Sequence, residues 1–314
     1  MNMPSHNGPR GPLTPGDLRV IGEALHAGPE EVTGVSALKR GMTNRSFLFF
    51  CRGEPYIIRV PGEGTGRLIN RRQEAAVYQV VRGRDICEDV LYIHPDSGYK
   101  ISRFFPGART CDPLDPRETA RCMEKLRAFH GLGLRVDHVF DLFAHIGFYE
   151  SLWEGRPSAY PDYQETRENV FRLRPFLEAR AGTYTLTHID AVPDNFLFFP
   201  DGRGGEALRL IDWEYAAMQD PHVDVAMFCI YAMYGREQVD RLIGQYFPEG
   251  CPAHTRIKIY GYIAVCGLLW SNWCEYKRSL GVEFGSYALA QYRYAGEYYR
   301  VVLRELERLG EALP

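Results

Sequence analysis

The chain reads as an α+β protein in two unequal parts: a small antiparallel sheet with one helix, then a larger, mostly helical part. Three observations predict this. Short β-type runs separated by turn residues crowd residues 32–60 and 89–105. A Pro-dense break, FPGARTCDPLDP, follows them. Beyond it, stretches of helical period dominate, interrupted by one pair of apolar strands.

Taken in order, residues 1–15 are rich in Pro, Gly and Asn without periodicity and predict a flexible arm. VTGVSAL, SFLFFCR and PYIIRV predict three strands joined through KRGMTN and RGEP. LINRRQEAAVYQVVRG, residues 68–83, places Leu68, Ala75, Ala76 and Val80 at helical intervals. DVLYIH and GYKISRFF predict two more strands. The first part therefore spans 16–106 and the helical part 107–314. In the latter, RETARCMEKLRAFHGLG, DHVFDLFAHIGFYESLWE and ETRENVFRLRPFLEARA read as helices. HIDAVPDNFLFF and LRLIDWEYA, separated by the turn PDGRGGEA, form a hairpin, and four or five helices close the chain.

Composition narrows the function classes. The chain has 314 residues, 45% of them hydrophobic and 25% charged, with a formal net charge of −3. That suffices for two cores and offers no basic footprint for nucleic acid. No signal-like pattern opens the sequence, and its longest apolar run, around Tyr260 to Trp270, is short for a membrane span. A cytoplasmic protein with no membrane or nucleic-acid partner is the expectation. Its eight cysteines form no C-x-x-C pair and read as reduced, buried thiols. Oligomeric state is not legible.

The chemistry concentrates in two strand ends. In HIDAVPDN, Asp190 precedes Asn195 by five residues on a loop entering the strand FLFF; LRLI ends on Asp212. Phosphoryl transfer needs a group for the acceptor hydroxyl, oxygens for metal ions and positive charge on the phosphates. An Asp and an Asn at this spacing, with a second Asp on the next strand, supply the first two. The apolar flanks hold those oxygens rigidly.

H-I-D-A-V-P-D-N fits H-x-D-x-x-x-x-N, and I-D-W-E-Y-A stands where protein kinases carry D-F-G. The chain resembles the kinase-like small-molecule phosphotransferases, among them choline and ethanolamine kinases and aminoglycoside phosphotransferases. The resemblance runs from about Val35 to Tyr299. It looks closest to bacterial choline kinases, through G-M-T-N, R-V-P-G, L-I-N-R and I-D-W-E-Y-A. It implies a bilobal protein-kinase-like fold and the use of ATP and magnesium. Asp190 is then the catalytic base, and Asn195 and Asp212 are the magnesium ligands.

In the same resemblance KRGMTNRSF is the phosphate-covering loop, with Gly41 turning the backbone and Thr43, Asn44 and Ser46 offering donors. Alone, this stretch is an ordinary β-turn. Arg59 takes the place of the protein-kinase strand lysine and grips phosphates bidentately, oriented by Glu74. YKISRFFPG is the hinge, its backbone at Ser102 and Phe104 meeting the adenine. His188 anchors the catalytic loop and Asp224 buttresses it.

The acceptor is read from LLWSNWCEYKRSLGVEFGSYALAQYRYAGEYY. Trp270 and Trp273 lie three apart on one helical face. A quaternary ammonium donates no conventional hydrogen bond and is held by aromatic faces. Two Trp on a helix also suit plain core packing. The nearby V-E-F-G-S-Y, very similar to choline kinases, favours a choline-type cage. D-V-A-M-F-C-I-Y-A-M-Y departs from the eukaryotic enzymes, which read D-I-G-N and carry an acid in the next turn. The cage wall is therefore open between Tyr231 and Tyr234, with Tyr215 adjoining, and its negative charge between Glu214 and Asp220. The expected activity is phosphorylation of choline or a close amino alcohol. Ethanolamine, thiamine, a sugar or an aminoglycoside as acceptor, a degenerate nucleotide- or choline-binding protein, and a non-enzymatic interaction domain are the alternatives.

Overall fold

The computed structural model describes residues 13–38, 44–62, 66 and 68–314. They divide into two units between Ala108 and Arg109.

The first unit opens with a helix that sequence reading did not anticipate, α1 (Pro15–Leu25). Thr14 Oγ1 accepts the Asp17 amide at 3.2 Å and Asp17 Oδ2 accepts the Thr14 amide at 2.8 Å. Two orphan donors are thus satisfied reciprocally, and Pro15 sits where its missing N–H costs nothing. A five-stranded antiparallel sheet follows, in the order β1 (Val32–Ala37), β2 (Asn44–Cys51), β3 (Glu54–Pro61), β5 (Lys100–Arg103), β4 (Val90–Ile93). The turn Arg52-Gly53 has positive φ at both residues, 52° and 81°, the twist a two-residue hairpin requires. Along β2, Phe47, Phe49 and Cys51 face inward and pack with Ile58, Val60, Ile101 and Ile21 of α1. Helix α2 (Arg71–Val81) is capped by Asn70, whose side chain accepts the Gln73 amide at 3.2 Å.

In the second unit β6 (Arg109–Thr110), β8 (Phe196–Pro200) and β9 (Glu206–Leu210) form one sheet, and β7 (Thr185–Thr187) pairs with β10 (Ala217–Gln219). β8 and β9 are the expected hairpin; Asp201 closes its turn by accepting the Arg203 and Gly205 amides. The helices are α3 (Pro116–Gly131), α4 (Leu142–Ser151), α5 (Tyr163–Phe171), α6 (Arg174–Arg180), α7 (His222–Tyr231), α8 (Arg236–Tyr246), α9 (Ala253–Ser279) and α10 (Ser286–Arg308). The single helix read over 165–181 is two. Pro175 has no N–H to continue the ladder, and the chain restarts as α6. α9 is buried almost all round by α10, α7 and α4. Gly267 permits that closeness: a Cβ there would lie 2.8 Å from the Gln291 carbonyl and from Tyr294 Cβ. Among the described residues no helix is long and apolar enough to cross a membrane.

Candidate active site

Within the first unit, the β-ladder sets Ser46 opposite Arg59, and Arg59 opposite Lys100. Arg59 and Glu74 form a buried bidentate pair, Nη1 with Oε1 and Nη2 with Oε2, the latter at 2.8 Å. Arg59 Nη2 also donates to the Gly98 carbonyl at 3.0 Å. A second arginine, which sequence reading missed, completes the knot. Arg71 donates to Glu74 Oε2 at 3.0 Å and to Asn44 Oδ1 at 2.9 Å. Burial pushes the Glu74 carboxyl up, but the Arg59 charge and hydrogen bond outweigh this and hold it below its ordinary value. Beside this knot, Lys100 is held by Glu88 and by Tyr78 Oη at 2.6 Å. Asn44 is thereby a partner of Arg71, and Phe104 has already committed its amide to the Pro55 carbonyl at 3.1 Å. Ser102 is buried within β5. Gly41 and Thr43 lie outside the described residues.

Within the second unit, the loop between β7 and β8 and the end of β9 converge. The Asn195 carbonyl accepts the Ile211 amide at 2.9 Å, one residue before Asp212. His188 Nε2 bonds to the Ile211 carbonyl at 3.0 Å. The loop carrying Asp190 and Asn195 is therefore tied on both sides of Ile211 to the strand end carrying Asp212. Asp224, on α7, accepts the His188 amide at 2.9 Å and the Ile189 amide at 2.8 Å, and His130 Nε2 lies 2.9 Å from its Oδ2. Both turning residues, Ile189 and Asp212, have left-handed backbone, φ 69° and 68°. For a β-branched Ile that conformation is strained, and the surrounding bonds enforce it.

Asn195 Nδ2 donates to the Asp190 carbonyl at 2.8 Å and to Asp190 Oδ2 at 3.1 Å. Its amide nitrogen is thus consumed by Asp190. Burial, then the Glu214 charge, push the half-buried Asp190 carboxyl up to about 7, against the pull of the Asn195 hydrogen bond. Such a group is poised to take or orient a hydroxyl proton near neutral pH. Asn195 Oδ1 and Asp212 are hard oxygen donors, and magnesium is bound by one or two such protein groups completed by phosphate oxygens. Among the described residues no group of three or more His, Cys, Asp or Glu is arranged to hold a metal ion by itself, and a site of this kind needs none.

Next to these acids runs a chain of rings. Tyr231 packs on Tyr287 at 5.9 Å, Tyr287 on Phe284 at 6.3 Å and Phe284 on Trp273 at 5.2 Å. Trp273 then meets Trp270, and Trp270 meets Tyr215, both at 5.7 Å. Both ends reach acids. Tyr231 Oη donates to Asp194 Oδ2 at 2.9 Å, and Tyr215 adjoins Glu214, whose charge raises the Tyr215 phenol after burial and neighbouring Tyr149. The Trp270 indole donates to Met227 Sδ at 2.9 Å, whereas the buried Trp273 Nε1 has no hydrogen-bond partner among the described residues. Tyr149 of α4 pairs with Tyr215 and was missed in the sequence, where it looks like any apolar helix position.

Two predicted residues stand apart from this arc. Tyr234 donates its hydroxyl to the Pro113 carbonyl and packs its ring on Phe228, whereas Tyr231 packs on Tyr287 within the arc. Asp220 is engaged by Lys258 Nζ at 2.7 Å and His222 Nδ1 at 2.8 Å. Of the two candidate acids, Glu214 is the one whose charge reaches Asp190.

Comparison with known proteins places the chain in a family. Residues 34–260 match the phosphotransferase enzyme family. Protein LicA of Haemophilus influenzae is 26% identical over 273 residues, covering 79% of this chain and 75% of the relative. The crystal structure of choline kinase LicA from Streptococcus pneumoniae superposes with a TM-score of 0.76 at 28% identity, over 90% of this chain and 98% of that one. A structure of LicA in complex with AMP gives a TM-score of 0.75 at 28% identity, with the same coverage. With its kinase-like fold and this match over most of its length, the chain belongs to the phosphotransferase enzyme family.

Proposed function

We propose that the protein transfers the γ-phosphoryl group of ATP to the hydroxyl of choline or a close amino alcohol, with magnesium. The observation that carries this reading is the arc from Tyr231 through Trp273 and Trp270 to Tyr215, ending on Glu214, whose charge acts on Asp190. Aromatic faces with a carboxylate nearby suit a quaternary ammonium, and they set its hydroxyl arm toward the acid that takes its proton.

In this mechanism Asp190 accepts or orients the hydroxyl proton. Asn195 Oδ1 and Asp212 hold magnesium, which when bound neutralises charge on the phosphates. Arg59, oriented by Glu74, serves the phosphates, with Gly41, Thr43 and Ser46 offering further donors. Residues 16–106 act as the nucleotide-covering lobe and 107–314 carry the acceptor site, in a cytoplasmic enzyme. The AMP complex of LicA supports a nucleotide role for this fold.

The test is an ADP-release assay with ATP and magnesium against choline, ethanolamine, a methylated aminoethanol, thiamine and kanamycin. Choline-dependent turnover that disappears in Asp190→Asn and Asp212→Ala is expected. Turnover with another acceptor alone would return the rings to core packing. Nucleotide binding without turnover would mark a binding protein instead.

A further inference from the structure

The ring arc already carries a cation. Lys277, in the last turn of α9, holds its Nζ 5.4 Å from the centroid of Trp273 and 6.0 Å from that of Tyr276. The residue is buried, and no carboxylate of the described residues lies within ion-pair distance of its ammonium. The acid whose charge acts on it is Glu214. Burial pushes the ammonium down from its ordinary value and Glu214 opposes this. Its neighbour Arg278, by contrast, is paired with Glu275 at 2.9 Å. Lys277 therefore stands out among the cations of this helix end. It is matched to aromatic faces and a shared acid, as a ligand ammonium would be.

We propose that Lys277 is a specificity-determining residue: its ammonium is the resident cation of the aromatic arc, and an acceptor cation must displace it. This rests on the arc being the acceptor site. The flexible four-carbon stem allows the exchange, since the ammonium can swing outward while the backbone stays fixed. That backbone is pinned independently. The Lys277 carbonyl accepts the Leu280 and Val282 amides, both at 3.0 Å, holding the turn that brings Phe284 onto Trp273. A change of side chain leaves those bonds intact. Two like charges sharing one low-dielectric site repel strongly, so the resident weakens binding of a cationic acceptor far more than that of a neutral one of the same shape.

Three proteins test this: wild type, Lys277→Met, which keeps the stem and removes the charge, and Lys277→Arg, which keeps the charge. Each is assayed with choline and with 3,3-dimethylbutan-1-ol, in which carbon replaces the quaternary nitrogen. Tryptophan fluorescence is titrated in parallel with tetramethylammonium, which requires no turnover. Lys277→Met is expected to lower the KM for choline and the Kd for tetramethylammonium by roughly five- to tenfold, and the KM for the neutral alcohol by less than about twofold. Lys277→Arg stays near wild type. An unchanged or raised KM for choline in Lys277→Met, or equal shifts for both alcohols, overturns the proposal alone. If wild type turns over no amino alcohol and tetramethylammonium perturbs no tryptophan, the acceptor-site reading falls and the proposal falls with it.

Discussion

The backbone amide of His188 donates to Asp224 Oδ2 at 2.9 Å, and that of Ile189 to Oδ1 at 2.8 Å. One carboxylate, fully buried, thus fixes the two residues that immediately precede Asp190. It holds Ile189 in a conformation the residue would otherwise leave. Asp224→Ala removes the acceptor and strands two buried amides and His130. The expected cost is about 3–5 kcal/mol of unfolding free energy, with loss of turnover in what remains folded. Urea melts and ADP release measure the two effects. A change below about 1 kcal/mol would mean that the loop holds itself.

Asp220 predicts an acid-side effect. Burial alone would raise its carboxyl, but the hydrogen bond and charge of His222, then Lys258, hold it well below the usual carboxylate range. A folded-state value below the unfolded one stabilises fully above the unfolded pKa, about 4, and is lost as the pH falls from there toward the folded value. Wild type should lose stability between about pH 4 and pH 2, and Asp220→Asn should start lower at pH 7 with a flatter acid limb. Urea midpoints at pH 7, 4 and 3 separate these; parallel acid limbs would remove Asp220 from the account.

The core of the site was legible because its spacing is local. Asp190 and Asn195 lie on one short loop, Asp212 ends the next strand, and apolar runs on either side mark both strands. Trp270 and Trp273 share a helix face for the same reason. Other features come from parts of the chain far apart in sequence. Arg71 reaches Asn44, Tyr149 meets Tyr215, and the charge of Glu214 acts on Lys277. No periodicity marks such meetings. Tyr231 and Tyr234 were indistinguishable in sequence because only their surroundings separate them: Asp194 takes one hydroxyl and the Pro113 carbonyl the other. α1 was missed because Thr14-Pro15 reads as the end of a Pro-rich arm, although Asp17 completes a capping box.

Glu74 sits between two arginines, with almost no exposed side-chain surface. Glu74→Ala removes the buried carboxylate that Arg59 and Arg71 both hold. A loss of about 3–5 kcal/mol is expected for the first unit, together with a raised KM for ATP, since Arg59 loses its orientation. Arg59→Lys should keep the charge, lose the bidentate geometry and raise the KM for ATP with a smaller stability cost. Thermal melts with and without magnesium-ATP, beside ATP kinetics, decide. If Arg59→Lys binds nucleotide like wild type, the arginine is structural only.

The last prediction divides the two acids that sequence reading left open. Glu214 is buried, and its charge acts on Asp190 and on Lys277. Asp220 instead accepts from Lys258 Nζ at 2.7 Å and from the Gly182 amide at 3.3 Å. Glu214→Gln keeps the shape and removes the charge. The KM for choline should rise by about tenfold, roughly the loss of one partly desolvated charge–charge contact, with little change in melting temperature. The neutral isostere should be affected far less. Asp220→Asn should do the reverse, lowering the melting temperature while the KM for choline stays within about twofold. Steady-state kinetics and melts on both variants test the division. A KM for choline that rises in Asp220→Asn and not in Glu214→Gln would exchange their roles and move the negative wall of the site to the N-terminus of α7.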